Sequence, residues 1–506
     1  MLRKLVFLLF MMWIAVSAAG RKPPPPAQSG VTTFKTTSRL VILDAVVTNE
    51  QGKFVDGLGK DDFTVLEDGV KQPVTAFEGP SQHPSNAIGS GDAPITIFLM
   101  DELDTAFADL AYACQQLEHY LRAQPPHLKQ PAALVVLDNT GLRVVQNYTQ
   151  DRDLLLHSLK KHFPQYPWKF ERSFATECMA QSLVALQQLA AATIGIPGRK
   201  NVLWVGEGFP PRNLIADMVD VQEVIENAIN RTVNRLLEAR ITVYPIDPEM
   251  MESTLKIVFV DDLGPYGALI PHGTASPFDA DISMGQFGPA TGGRSFYWRN
   301  DIDEVIASSV EDGARYYTLA YVPSNRTDEP KYRRIHVKMR RGLRARTRDG
   351  YWTTDAPMTD KMVAVDIWQA AQNTLPYTGL PVALTGRPGL GAAKCTLYID
   401  ANALSWQIMD NGDRRAVVRI AVAAFSAKDK MLAHQVVEKA SVTPAASFTH
   451  LLGQPAAFPI EVPLPANTAR VRVVARDESN GHMGAVDLDP ERIPRQASMP
   501  KQVGGD

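Results

Sequence analysis

Apolar positions change period at residue 101. Ile95, Ile97, Phe98, Leu99 and Met100 form a nearly unbroken run that stops on Asp101-Glu102-Leu103-Asp104-Thr105. Past that acidic tip, Phe107, Leu110, Cys114, Leu117 and Leu121 recur at intervals of three and four. A continuous run is how a strand buried on both faces reads, and the three–four spacing is one face of a helix. Residues 94–121 therefore predict a strand, an acidic loop and a helix.

The alternation continues to about residue 320. Residues 132–137 predict a second strand, and the turn Asp138-Asn139-Thr140-Gly141 is too short for a crossover, so 142–145 returns as an antiparallel neighbour. Helices are predicted over 152–162 and 175–193, the latter with Met179, Leu183, Leu186 and Ala190 on one stripe. A buried strand over 201–205 ends at Gly206-Glu207-Gly208. A helix over 221–239 leads to another strand, 241–246, ending at Asp247. Residues 250–284 read as a long surface loop broken by the apolar run 255–260, before a strand over 294–298 and a helix over 301–314. The order predicts an α/β domain over 94–320: a doubly wound, mostly parallel, Rossmann-like sheet with one antiparallel edge strand.

The flanks keep the strand period. Residues 34–80 predict a small β unit with a hairpin turn at Glu67-Asp68-Gly69, followed by a Ser-, Gly-, Asn- and Pro-rich linker over 81–93. The acidic group Asp61, Asp62, Glu67 and Asp68 reads as solvated turn chemistry. A β extension over 321–353 is crowded with Arg and Lys. Its plain reading is a charged edge that discourages aggregation; its sharper one is a site for an anionic partner. Residues 360–494 open with a helical start and then show strands at turn-spaced intervals, which predicts an immunoglobulin-like β-sandwich. Residues 495–506 read as a flexible tail. Leu375-Pro376-Tyr377-Thr378-Gly379 spells a sortase-type anchoring pattern without the apolar tail such signals need, and reads as coincidence.

Composition narrows partners and compartment. The 506 residues carry a formal net charge of -3, which gives no global attraction to nucleic acid or to an anionic membrane. Three cysteines are too few for a disulfide scaffold; Cys114 and Cys178 read as buried small hydrophobes, with a bridge between them left open. Arg3 and Lys4 precede an apolar run over 5–16 and the small residues Ser17-Ala18-Ala19, so 1–19 read as a secretory signal cut near Ala19. That run is shorter than the ~20 residues a bilayer span needs. Residues 20–33, with Pro23 to Pro26, read as a stiff spacer. The mature chain is expected to be exported, periplasmic or extracellular, without a transmembrane segment.

Chemistry gathers at the strand ends. Asp101, Glu207 and Asp247 each close a buried strand, with Asp104 and Thr105 on the first loop. Ligands of open α/β sheets bind beyond the carboxyl ends of the strands, and a hard cation such as Mg²⁺ takes oxygen ligands of this kind. The plainer reading has the same carboxylates capping helices and binding water. Catalytic signatures are missing: the chain has no G-x-S-x-G, H-E-x-x-H or P-loop.

The order of elements and the acidic first loop resemble a von Willebrand factor A domain. Residues 34–353 are similar to the secreted bacterial proteins called von Willebrand factor A-related, abundant in Acidobacteria. The matching stretches are Phe34-Lys35-Thr36-Thr37-Ser38-Arg39-Leu40-Val41, Asp61-Asp62-Phe63-Thr64-Val65-Leu66-Glu67-Asp68-Gly69, Pro197-Gly198-Arg199-Lys200-Asn201, Ala290-Thr291-Gly292-Gly293 and Arg348-Asp349-Gly350-Tyr351. The resemblance implies a non-enzymatic protein-binding or adhesion module. It also implies a metal-ion-dependent adhesion site of the form Asp-x-Ser-x-Ser, whose Mg²⁺ is completed by a carboxylate of the protein partner. Here Asp101 matches the first position and Thr105 the last, Leu103 replaces a ligand Ser, and Glu207 stands where a second Asp is usual. Thr176 is the stand-in for the threonine, and Asp104 would have to turn inward to replace the lost hydroxyl. Metal-binding and partner-binding residues are thus expected to be Asp101, Asp104, Thr105 and Glu207. A structural envelope subunit is the alternative reading, and a hydrolase the more distant one.

Overall fold

The computed structural model describes residues 40–83, 94–103, 105–162, 175–209, 222–248, 278, 283–324, 329–389, 391–452 and 454–494. The expected signal segment, the spacer, most of the linker, the run 255–260 and the tail lie outside them.

Strands β1 (Val41–Asn49), β2 (Thr64–Glu67), β3 (Val70–Gln72) and β4 (Val74–Glu78) come first. The hairpin β2–β3 turns on Asp68 and Gly69, at φ 49° and 81°, the left-handed pair that a two-residue hairpin loop requires. β1 and β4 do not pair with this hairpin. They pair with strands that follow the helical part of the chain.

Residues 95–314 supply β5 (Ile95–Asp101), α1 (Phe107–Ala123), β6 (His127–Asp138), β7 (Gly141–Asp151), α2 (Arg152–Lys161), α3 (Ala175–Thr193), β8 (Lys200–Val205), α4 (Gln222–Glu238), β9 (Ile241–Ile246), α5 (Phe287–Thr291) and α6 (Ile302–Ala314). β5, β8 and β9 are buried at every position, as their unbroken apolar runs require. They lie in a sheet of order β7-β6-β5-β8-β9. Ile97, Leu99, Val202 and Trp204 pack with α3 and α4 on one side, and Phe98, Met100, Leu203 and Val205 with α1 and α6 on the other. The strand expected over 294–298 shrinks to a bridge between Phe296 and Ile246. Gly293 approaches the carbonyl of Val243 too closely to leave room for a Cβ.

After α6 the chain returns to the first strands. β10 (Tyr317–Tyr321), β11 (Tyr332–Lys338), β12 (Leu343–Arg346) and β13 (Gly350–Trp352) complete two antiparallel sheets, β12-β1-β10-β4 and β13-β11-β2-β3. Leu43, Val47, Val65, Tyr317, Leu319 and Val337 fill the core they share. Next come α7 (Asp360–Gln372), β14 (Val382–Pro388), β15 (Ala392–Asp400), β16 (Gln407–Ile408), β17 (Arg414–Phe425), β18 (Met431–Thr443), α8 (Ala445–Leu451), β19 (Pro455–Pro463), β20 (Arg470–Asp477) and β21 (Met483–Leu488). They build the antiparallel sheets β14-β15-β19 and β16-β17-β20-β21, with β18 added to β17, over a core that includes Leu397, Phe458, Ile420 and Val473.

The expected fold class is therefore corrected. Among the described residues, thirteen of the sixteen strand pairings are antiparallel and three are parallel. The chain is not a doubly wound parallel α/β protein with a small β unit beside it. It is a mixed fold in which several antiparallel sheets predominate. The physical reason lies in partner choice: alternation along a segment shows which face is buried, whereas β1 finds β10 and β12 some 270 to 300 residues away (Val41 beside Tyr321, Val46 beside Arg346).

Buried polar groups tie the blocks together. Asp44 receives Arg240 at 2.8 Å and Thr318 at 3.1 Å. Burial pushes the Asp44 carboxyl up, but the charge and hydrogen bond of Arg240 outweigh it and hold the group below the usual carboxylate range. On the other side, Asp366 of α7 accepts from Gln188 at 2.7 Å and faces Arg235 at 3.3 Å. The sortase-like pattern is internal: Leu375 and Tyr377 are buried, and the Thr378 hydroxyl donates to Ala192 O. All three cysteines are free thiols, so the Cys114–Cys178 bridge does not form. Among the described residues no helix is long and apolar enough to cross a membrane.

Candidate functional site

β5 and β8 are parallel neighbours, with Met100 beside Val205, so the loops that leave them start side by side. Asp101 has no solvent exposure. Its Oδ1 accepts the Leu103 N–H at 3.0 Å, which closes a tight turn of the kind Asp favours two residues ahead of itself. Its Oδ2 accepts the indole N–H of Trp204 at 2.8 Å. A buried carboxylate is tolerable only when such donors replace water, and each donor to a charged acceptor contributes ~1.5–3 kcal/mol.

Thr105 is equally buried, and its Oγ1 accepts the Glu207 N–H at 3.2 Å. Glu207 reaches back across the same gap, its Oε1 accepting the Ala106 N–H at 2.9 Å just before α1. Gly206 sits between the two loops. A Cβ there would come within 2.5 Å of Asp101 Cβ and 2.7 Å of Thr105 Oγ1, so the loops meet this closely only because the position is glycine. Among the described residues of this corner, Ala106 and Phe107 (49% exposed) are exposed, and Leu103 and Glu207 are half-buried.

The structure thus brings together three of the four expected residues: Asp101, Thr105 and Glu207. Asp104 and the side chain of Thr176 lie outside the described residues. Asp247 ends β9 one strand further along, where its N–H donates to Phe296 O at 2.9 Å. Two partners were missed in the sequence. Trp204 reads as one more apolar position of a buried strand, yet it brings the indole donor to Asp101. Glu102 turns inward and meets His162, with side-chain exposures of 1% and 5%. Neighbouring Cys114 has its thiol pushed up to about 11, by burial first and by Glu102 second.

These donors fit Mg²⁺ poorly. Both Asp101 oxygens already receive N–H groups, and Leu103 offers no oxygen from its side chain. Among the described residues, no three carboxylate, imidazole or thiolate groups are grouped to hold one ion. An octahedral cation wants about six oxygens, so binding through Asp101 would have to compete with an indole and a backbone N–H.

No protein-family model matches the sequence, and no curated protein does. Weak structural neighbours include proximal thread matrix protein 1 from the mussel byssus, at 12% identity over 31% of this chain and 38% of that one (TM-score 0.21). The VWA domain of SpRpn10 overlaps at 11% identity over 31% of this chain and 89% of that domain (TM-score 0.18). The pilus adhesin SpaC from Lactobacillus rhamnosus GG overlaps at 7% identity over 80% of this chain and 58% of the adhesin (TM-score 0.22). This chain spans less than two fifths of the mussel protein and under two thirds of the adhesin. Overlaps this slight fix neither fold nor function.

Proposed function

We propose that the chain is an exported, non-enzymatic protein-binding module of the adhesion type, and that it meets its partner at the corner where β5 and β8 end. The observation that supports this reading is the reciprocal bonding of the two loops: Glu207 N–H to Thr105, and Ala106 N–H to Glu207. It ties the half-buried Glu207 carboxylate to the backbone of Ala106, the residue before exposed Phe107. Pre-organised loops lose little entropy on binding, and aromatic anchors with an adjacent charge dominate interface energetics. A partner presenting a cation or N–H donor next to an apolar pocket suits this pair. Contact in this form needs no ion. The Mg²⁺-dependent form is the same proposal with Asp101 released from its donors.

Capture of envelope proteins on the immobilised chain tests both forms. The expected result is one protein retained with and without chelator, and lost when Glu207→Lys and Phe107→Ser are introduced together. Retention that ignores those two substitutions sinks the corner as the contact site. Retention that disappears with chelator and returns with Mg²⁺ restores the metal-dependent form.

A further inference from the structure

The outer face of the sheet β13-β11-β2-β3 is basic. Along β11, buried Arg333, Ile335 and Val337 alternate with exposed Arg334, His336 and Lys338. The register sets Leu66 beside His336, Thr64 beside Lys338, and Lys71 on the far side of Leu66. Side chains two apart on a strand share a face at about 7 Å, and adjacent strands lie about 4.8 Å apart. Lys71, half-buried Leu66 and His336 therefore form a row across three strands, with Arg334 and Lys338 on either side of its end. The turn beyond β11 adds exposed Arg340 and Arg341.

Arg334 lies near the carboxyl of Asp349, and the other charges are sparsely neutralised. Arg340 comes no closer than 4.0 Å to Asp62. Among the described residues, Lys71, Lys338 and Arg341 make no ion pair. Arg334 and Lys338 lie about 14 Å apart along β11, beyond the ~8 Å screening length of physiological salt but well inside the ~30 Å of 0.01 M salt, so they act together on an approaching anion when salt is low. Guarding an open edge accounts for Lys71, on the outermost strand β3, but not for Arg334, where β11 pairs with β13.

We propose that this face docks an extended, acidic polypeptide segment of a partner. Carboxylates at alternate positions of an extended peptide repeat at the same ~7 Å as Arg334, His336 and Lys338. Leu66, in the middle of the face, offers an apolar contact that a peptide side chain takes and a fully hydrated polyuronate does not. The contact is separate from the corner at β5 and β8, and stands or falls without it.

The test is a titration of the full chain with fluorescent poly-L-glutamate at low and high salt, followed by anisotropy. Binding is expected at low salt and is expected to be abolished at high salt. A Lys71→Glu/Lys338→Glu protein should bind roughly tenfold more weakly or worse, since exposed attractions become repulsions of similar size. Lys71→Gln/Lys338→Gln should fall between the two, and circular dichroism checks that both variants fold. Three outcomes overturn the proposal: no binding at low salt, unchanged binding by the charge-reversed protein, or a polyuronate of equal charge binding as tightly as the polyglutamate.

Discussion

Glu67 and Asp101 are both carboxylates cut off from water, yet the chain surrounds them with different partners. Glu67 accepts from Arg333 at 2.5 Å and from the hydroxyls of Tyr321 and Tyr351 at 2.7 and 3.0 Å. Those three residues come from β10, β11 and β13, more than 250 positions away in sequence. Asp101 takes one donor from Leu103, two residues ahead, and one from Trp204 on the adjacent strand. The first arrangement clamps two sheets with a full charge. The second shapes a loop where the chain leaves a sheet. Burial of a carboxylate alone does not mark a site; where its donors come from separates a structural ion pair from a loop organiser.

The largest effect expected from that contrast is at Glu67. Glu67→Ala strands the Arg333 guanidinium, only 5% exposed, in an apolar core without its counter-charge. Breaking a buried pair from one side costs ~3–5 kcal/mol. Urea unfolding should show a loss of unfolding free energy of that size, and Glu67→Ala/Arg333→Met should recover part of it. A loss below about 1 kcal/mol, the range of exposed pairs, would mean that the clamp is not holding the sheets together.

At Asp101 the expected loss is smaller and has a signature. Both oxygens accept, so Asp101→Asn sets an amide N–H₂ against either the Trp204 indole or the Leu103 N–H. Asn should therefore cost ~1–3 kcal/mol for one stranded donor, and Ala, which strands both, more. The Trp204 fluorescence should shift in both variants. An Asn variant as stable as wild type, with unchanged emission, would show that one of the two bonds is dispensable.

This contrast also marks what the sequence could reveal. The carboxylates at 101 and 207 were legible because each follows an apolar run, and a strand that ends on a charge places that charge at the sheet's end. Trp204 was not legible as a donor, since in a strand buried on both faces an indole counts as apolar. At Glu67 the sequence predicts solvated turn chemistry. The turn is there, but the side chain points into the core, and only the pairing of β2 with β11 explains that. The same blindness to long-range pairing lies behind the corrected fold class.

Asp349 lies between the two extremes, and there the pH dependence has a definite sign. Burial pushes its carboxyl up to about 6, and the nearby charge of Arg334 only partly opposes this. Its folded value thus lies above the unfolded value near 3.9, and the folded state holds the proton more tightly. Below about pH 4 both states are protonated and this group contributes nothing to the pH dependence. Between about pH 4 and 6 the unfolded state binds fewer protons than the folded one, so this group's contribution falls as pH rises. Above about pH 6 the folded chain carries a poorly solvated charge, and the loss is complete. Asp349→Asn removes that ionisation. The variant should gain on wild type by on the order of 1–2 kcal/mol at pH 7.5 and by little at pH 4.5. Paired thermal melts at the two pH values measure the difference. An equal gain at both would assign the effect to packing, and a larger gain at pH 4.5 would reverse the sign and show that Arg334 pairs with Asp349 as tightly as Arg333 pairs with Glu67.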